Sequence, residues 1–248
     1  MGPLLIQYMS SFHDDLGRNM KQNRFHLIAI AFIAGLQCVG GQDVRSERSN
    51  ISQLNWNNFL KYFEPALKSA GGVGRLYYRG DCWTERGDGI LFPRLDLEAL
   101  VESKSGIAAI QDLFKNTKQV TATRDPSGIS RTSIGNVSYE LLNTNISVLK
   151  FTPSEQYNED QAVLAIERTK EVQSKMRDLK LQYPPTVFFG RVLDPANELP
   201  HLPVSLKNVT MDEALDRVAQ TFGGLVKYGE CASEGGTHLI FIDFEYIR

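Results

Sequence analysis

Beyond residue 41 the chain carries two cysteines, Cys82 and Cys231, and two histidines, His201 and His238. These are the side chains from which reactive chemistry would have to be assembled. A thiol becomes a working nucleophile when an imidazole takes its proton, so Cys82 with His238, beside the acidic loop of Asp81, Glu85 and Asp88, is one reading. A disulfide between Cys82 and Cys231 is the other, and it would contribute about 2–4 kcal/mol by closing a long loop. The two exclude each other, because a bridged Cys82 has no thiol to offer. Neither histidine stands at ligand-like spacing from a cysteine, so no zinc site is assigned. The loop acids lack the D-x-D-x-D-G ladder of a calcium site. Phosphate-loop, G-x-S-x-G, H-E-x-x-H and dinucleotide glycine motifs are all absent from the sequence. No catalytic, cofactor or metal residue is therefore assigned, and the disulfide is the expected role of Cys82 and Cys231.

An oxidising compartment is needed for that bond, and the N-terminus supplies an address for one. Lys21 and Arg24 precede an apolar run from Leu27 to Leu36. At about ten residues it has the length of a signal-peptide h-region and falls short of the roughly 20 needed to cross a bilayer. Val39-Gly40-Gly41 offers small residues for cleavage, and Met20 is the expected true start, with residues 1–19 an upstream extension. Cleavage after residue 41 changes the net charge from −2 to −3. A balance so close to neutral disfavours nucleic acid as a partner.

Downstream, hydrophobic spacing divides the chain into residues 42–135, a connector over 136–201, and 202–248. In the first segment Trp56, Phe59, Leu60, Phe63 and Leu67 recur at helical steps, with Pro65 expected to break or kink the helix and Gly71-Gly72 to end it. Leu76-Tyr77-Tyr78 reads as a strand followed by a turn-rich loop with Arg-Gly-Asp at 79–81 and again at 86–88. Ser105 is the expected cap of a helix carrying Ile107, Ile110, Leu113 and Phe114. Gln119 to Arg124 and Ile129 to Ile134 flank the turn signal Asp125-Pro126-Ser127-Gly128. In the connector, Tyr139, Leu141 and Leu142 suggest a short helix and Ile146 to Phe151 a strand. A long amphipathic helix is expected from its cap at Asn158 through Leu179, lined by Ala162, Ala165, Ile166, Val172 and Met176. Thr186 to Phe189 and Arg191 to Leu193 form a further possible strand pair.

The last segment has the clearest local grammar. An edge strand is expected over Leu202 to Leu206. Thr210 and Glu213 then form a T-x-x-E capping box, and Met211, Ala214, Leu215, Val218 and Phe222 make one apolar helix face, opposite Asp212, Asp216, Arg217 and Gln220. Gly223-Gly224 ends the helix, and Leu225 to Tyr228 with Leu239 to Phe244 completes a long-looped hairpin. The order is β-α-β-β, as in residues 42–135, so the expected architecture is α+β, with two small β-α-β-β units joined by a segment containing a long helix.

Val204-Ser205-Leu206-Lys207-Asn208-Val209-Thr210 followed by Glu213-Ala214-Leu215 resembles the secretin and TonB short N-terminal (STN) domain, a small periplasmic module, over residues 202–244. The resemblance implies a docking module without catalytic residues or cofactors, partnered by outer-membrane transport or secretion machinery. The expected function is thus an exported, non-enzymatic protein-binding module of the bacterial envelope, periplasmic or outer-membrane associated. The alternative is a small secreted enzyme with a Cys/His or acidic site between the two units.

Overall fold

Period-2 alternation in a strand sends neighbouring side chains to opposite faces of its sheet, and the strand at Gly74–Asp81 uses both faces. Tyr77 belongs to one core, while Leu76 and Tyr78 belong to another. A computed structural model describes residues 53–81, 92–93, 95–96, 105–183, 200–232 and 236–247, all within one compact unit, residues 44–248. The expected leader over 1–41, Cys82, the second Arg-Gly-Asp, and the strand pair at 186–193 lie outside the described residues.

The strands are β1 (Gln53–Leu54), β2 (Gly74–Asp81), β3 (Phe92–Pro93), β4 (Val120–Arg124), β5 (Ser130–Ile134), β6 (Asn145–Lys150), β7 (Leu181–Gln182), β8 (Ser205–Thr210), β9 (Gly224–Ala232) and β10 (His238–Tyr246). The helices are α1 (Trp56–Ser69), α2 (Ile107–Leu113), α3 (Pro153–Gln156), α4 (Glu159–Glu167), α5 (Lys170–Asp178) and α6 (Met211–Phe222). Six strands form one mixed sheet in the order β4-β5-β2-β9-β10-β7. The fold is α+β as expected, but the two β-α-β-β runs do not each close their own sheet. β2 pairs in parallel with both β5 and β9, from Gly74↔Ser130 and Gly74↔Leu225 onward, so both hairpins join one sheet.

One face carries Leu76, Tyr78, Ala122, Ile134 and Leu225 and is covered by α1 and α2 through Phe59, Phe63, Leu67, Ile110 and Leu113. The other carries Tyr77, Val226, Tyr228, Ile240, Ile242 and Phe244. Ala162 and Ile166 of α4, Val172 and Met176 of α5, and Ala214, Leu215 and Val218 of α6 pack there. The small antiparallel sheet β6-β8 adds Ile146 and Leu149 to the same core. These helices lie between two sheets and bury more than a single apolar stripe.

Several helix ends differ from expectation for local reasons. α1 runs through Pro65 without ending, because Pro65 and Lys61, whose carbonyl loses its amide partner, lie on the exposed side where water can replace it. Gly106, not Ser105, caps α2, with φ 70°, a conformation that favours glycine. No helix forms at Tyr139–Leu142, although Leu141 and Leu142 are buried. The long connector helix is two helices, and Thr169 caps the second. At the break, Thr169 Oγ1 donates to the Ile166 carbonyl at 2.8 Å and Gln173 Nε2 to that of Glu167 at 2.8 Å, so the interrupted backbone is satisfied by side chains. The edge strand expected at Leu202–Leu206 starts at Ser205, in register with β6 through Ile146↔Val209 and Leu149↔Leu206.

The start of α6 forms as expected. The Glu213 N–H donates to Thr210 Oγ1 at 3.1 Å, the Thr210 N–H donates to Glu213 Oε2 at 2.7 Å, and Gly223 closes the helix in the left-handed region at φ 67°. Thr210→Ala should therefore lower the unfolding free energy by about 1 kcal/mol in a urea titration, whereas Ser105→Ala should leave the midpoint unchanged.

Candidate functional site

Charged residues inside strands need partners from elsewhere in the fold. Arg75 on β2 and Arg131 on β5 are register neighbours, and like charges directly opposite repel. Asp212 and Asp216 on α6 stand at i,i+4 and repel likewise. Docking the helix on the strands interleaves the four charges. Arg75 Nη1 donates to Asp216 Oδ1 at 2.8 Å and to the Asp212 carbonyl at 2.9 Å. Arg75 Nη2 lies 2.9 Å from Asp212 Oδ1, close enough for ion pairing although the N–H is not aimed at that oxygen. Arg131 Nη1 donates to Asp212 Oδ2 at 3.0 Å, and Arg131 also bonds Tyr77 Oη and Asp216 Oδ2. Its Nε reaches Asp125 Oδ2 at 3.0 Å, tying in the β4–β5 turn. Tyr77 Oη donates to Asp212 at 3.0 Å. Burial pushes the Tyr77 hydroxyl far above its ordinary range, so it remains a donor at every physiological pH.

Arg75 is fully buried, and the Asp212 and Asp216 side chains are 22% and 15% exposed. The polar face of α6 is therefore partly a packing face. Taking a guanidinium from water costs several kcal/mol, a cost that close carboxylates offset without large surplus. This cluster fixes where α6 sits: Arg75 bonds through Nη1 alone, its buried Nε and Nη2 donating no hydrogen bond, and the two carboxylates compensate its charge.

A second group of titratable side chains gathers at the ends of β9 and β10. Tyr228 Oη donates to Glu230 Oε1 at 2.5 Å, and Arg79 Nε stands 3.9 Å from Glu230 Oε2. Burial raises the affinity of Glu230 for a proton, against the pull of the Tyr228 hydrogen bond and Arg79. Arg79, Glu230, Cys231, Leu181 and His238 line a cavity of about 60 Å³, room for a water or two. Farther along this core, burial pushes the Glu167 carboxyl up to about 8, with repulsion from Asp243 adding and Arg168 opposing.

The residues singled out in sequence are distributed unevenly over this geometry. His238 opens β10 and is exposed; Cys231 on β9 is 3% exposed and packs with Leu239 and Phe241. The fold brings these two to one small cavity. His201 lies elsewhere, its ring 5.3 Å from that of Tyr157. Gly80 of β2 is the register partner of Cys231. The first Arg-Gly-Asp ends strand β2 and does not sit on a loop tip. Glu85 and Asp88 lie outside the described residues. Sequence reasoning passed over Arg75 and Arg131; an arginine directly before the apolar run Leu76-Tyr77-Tyr78 was the available signal.

The face made by β6 and β8 is different in kind. Asn208, at φ 51°, disturbs the alternation there, so Ile146 and Leu149 are both buried while Ser147 and Val148 between them are exposed. Val148 is 48% and Val204 67% exposed, with the exposed Lys150 and Lys207 beside them. Among the described residues β8 has a strand on one side only.

Comparison with known proteins adds no relative: no family model matches the chain, and neither curated proteins nor solved structures give a match. Among the described residues no helix is long and apolar enough to cross a membrane.

Two measurements probe these clusters. Arg75→Met leaves Asp212 and Asp216 with half their compensation and should cost about 3–5 kcal/mol in chemical denaturation. Glu167 holds a proton in the folded state that the unfolded chain releases above its ordinary value of 4.5, so its contribution to stability is lost as pH rises from there through about 8. Glu167→Gln should flatten the decline in unfolding free energy over that window.

Proposed function

We propose that the chain is an exported, non-enzymatic docking protein of the bacterial envelope, whose C-terminal β8-α6-β9-β10 run is an STN-like unit. The observation that carries this reading is strand β8. Its outer side bears no neighbouring strand among the described residues, and Val148 and Val204 stand exposed around it. An edge of this kind accepts an extended segment as a further strand: main-chain hydrogen bonds supply affinity and flanking side chains supply selectivity. Exposed Lys150 and Lys207 favour a segment bearing acidic residues. In keeping with the STN resemblance, the partner is a component of outer-membrane transport or secretion machinery.

The Cys82–Cys231 disulfide belongs to the same reading. Gly80, two residues before Cys82, is already beside Cys231 in the β2–β9 register. The bond would fasten the residue after β2 to the central strand. The mass of the exported protein should then rise by two hydrogens on reduction, and an unchanged mass would rule the bond out.

Photo-crosslinking residues placed at Val148 or Val204 and activated in intact cells should give one covalent adduct with an envelope protein. The same residue at Lys118, near the opposite end of the large sheet, should give none. Lys207→Glu should reduce the adduct severalfold. Equal labelling from all three positions, or none from any, would overturn the docking reading.

A further inference from the structure

Register arranges side chains in rows across the sheet face that α1 and α2 cover. One row runs Ile134, Tyr78, Gly229, Phe241 from β5 to β10, and the next runs Thr132, Leu76, Lys227, Asp243. Gly229 therefore leaves a gap between two aromatic residues. With strands about 4.8 Å apart, Tyr78 and Phe241 spring from positions about 9.6 Å apart. Position 229 thus has no side chain between two aromatic residues, and Tyr78 leans along its own strand over Gly80.

The described structure leaves a cavity of about 160 Å³ at this place, and its lining includes Tyr78, Gly229, Phe241, Trp56, Phe92 and Lys227. Its walls are braced. Phe92 lies 5.0 Å from Tyr78, 5.4 Å from Trp56 and 4.4 Å from Phe59, centroid to centroid. Trp56 is held in turn by its indole N–H, which donates to Glu245 Oε2 at 3.3 Å. Lys227 Nζ rests 3.9 Å over the Trp56 ring and 3.3 Å from Asp243 Oδ2. The Asp243 side chain is 53% exposed and supplies a carboxylate acceptor at the edge of this aromatic box. An apolar cavity of about 150 Å³ holds benzene, so the space here suits a single six-membered ring with a small substituent.

We propose that this cavity binds one small aromatic molecule bearing an O–H or N–H donor, of phenol size. The ring sits over Gly229 between Tyr78 and Phe241, and the donor is directed to Asp243. Apolar burial and ring contacts supply the affinity, and the carboxylate selects a donor-bearing ring over a plain hydrocarbon. The site is distinct from the β8 edge and does not depend on the docking reading.

The test is a titration of the full chain with phenol, followed by amide NMR of β9 and β10. Saturable shifts centred on Gly229 and Phe241, with a millimolar dissociation constant, are expected for so small a ligand. Gly229 does not have a positive φ, so valine, which favours strands, suits its backbone and would project into the cavity. Gly229→Val should weaken binding at least tenfold, and Phe241→Ala, which removes one wall, should weaken it about tenfold as well. Toluene should bind several-fold more weakly than phenol. Shifts that never saturate, or folded Phe241→Ala protein that titrates like the unaltered chain, would overturn the proposal.

Discussion

Everything in this fold leans on the interleaving of Arg75 and Arg131 with Asp212 and Asp216. Two arginines side by side on parallel strands are unfavourable alone, and so are two aspartates one helical turn apart. Each pair becomes tolerable only when α6 lies across β2 and β5 in one position. The residues are far apart in sequence, 141 positions for Arg75 and Asp216. The contact therefore ties the first third of the chain to the last, and Tyr77 and Asp125 extend it to the sheet floor and the β4–β5 turn. Buried ion clusters of this type add little net stability, but they penalise every arrangement that leaves one member unpaired. A helix held by apolar contacts alone, through Ala214, Leu215 and Val218, could slide or rotate at smaller cost.

That constraint makes the large sheet continuous. β9, buried along nearly its whole length, has β2 on one side and β10 on the other, and both helical layers press on it. For the proposed docking, the consequence is a firm support with differentiated margins. On one side stands the β6-β8 ribbon with exposed valines and lysines; on the opposite face of the large sheet stands the aromatic box around Gly229. Edge recognition works best from a support that does not have to be ordered on binding, since ordering entropy is then already spent.

What the sequence disclosed was what neighbouring residues decide among themselves. The Thr210–Glu213 capping box, the Asn158 cap, whose side chain accepts from the Gln161 N–H at 2.9 Å, and the turn after Arg124 were all legible, because each rests on side chains within a few residues of the backbone they satisfy. The parallel pairing of β2 with β9 was not, since no local pattern records which strand lies alongside. The break at Thr169 was hidden because the apolar stripe from Ala162 to Met176 continues through it. Pro65 does not end its helix for the converse reason: a proline inside a helix is tolerated where the freed carbonyl meets water. Asp212 and Asp216 read only as part of the polar helix face because their partners lie on strands more than eighty residues away. Of the two cysteines, Cys231 is placed opposite Gly80 of β2, and Cys82 lies outside the described residues.

Native-state hydrogen exchange tests most directly whether the chain from β2 to β10 is a single cooperative body. If the ion cluster binds the halves together, slow amides in β2 and β5 should open with the same free energy as those in β9 and β10, and the four strands should lose protection together as denaturant is added. Two classes, with β2 and β5 exchanging well before β9 and β10, would contradict this and leave two loosely joined units in its place.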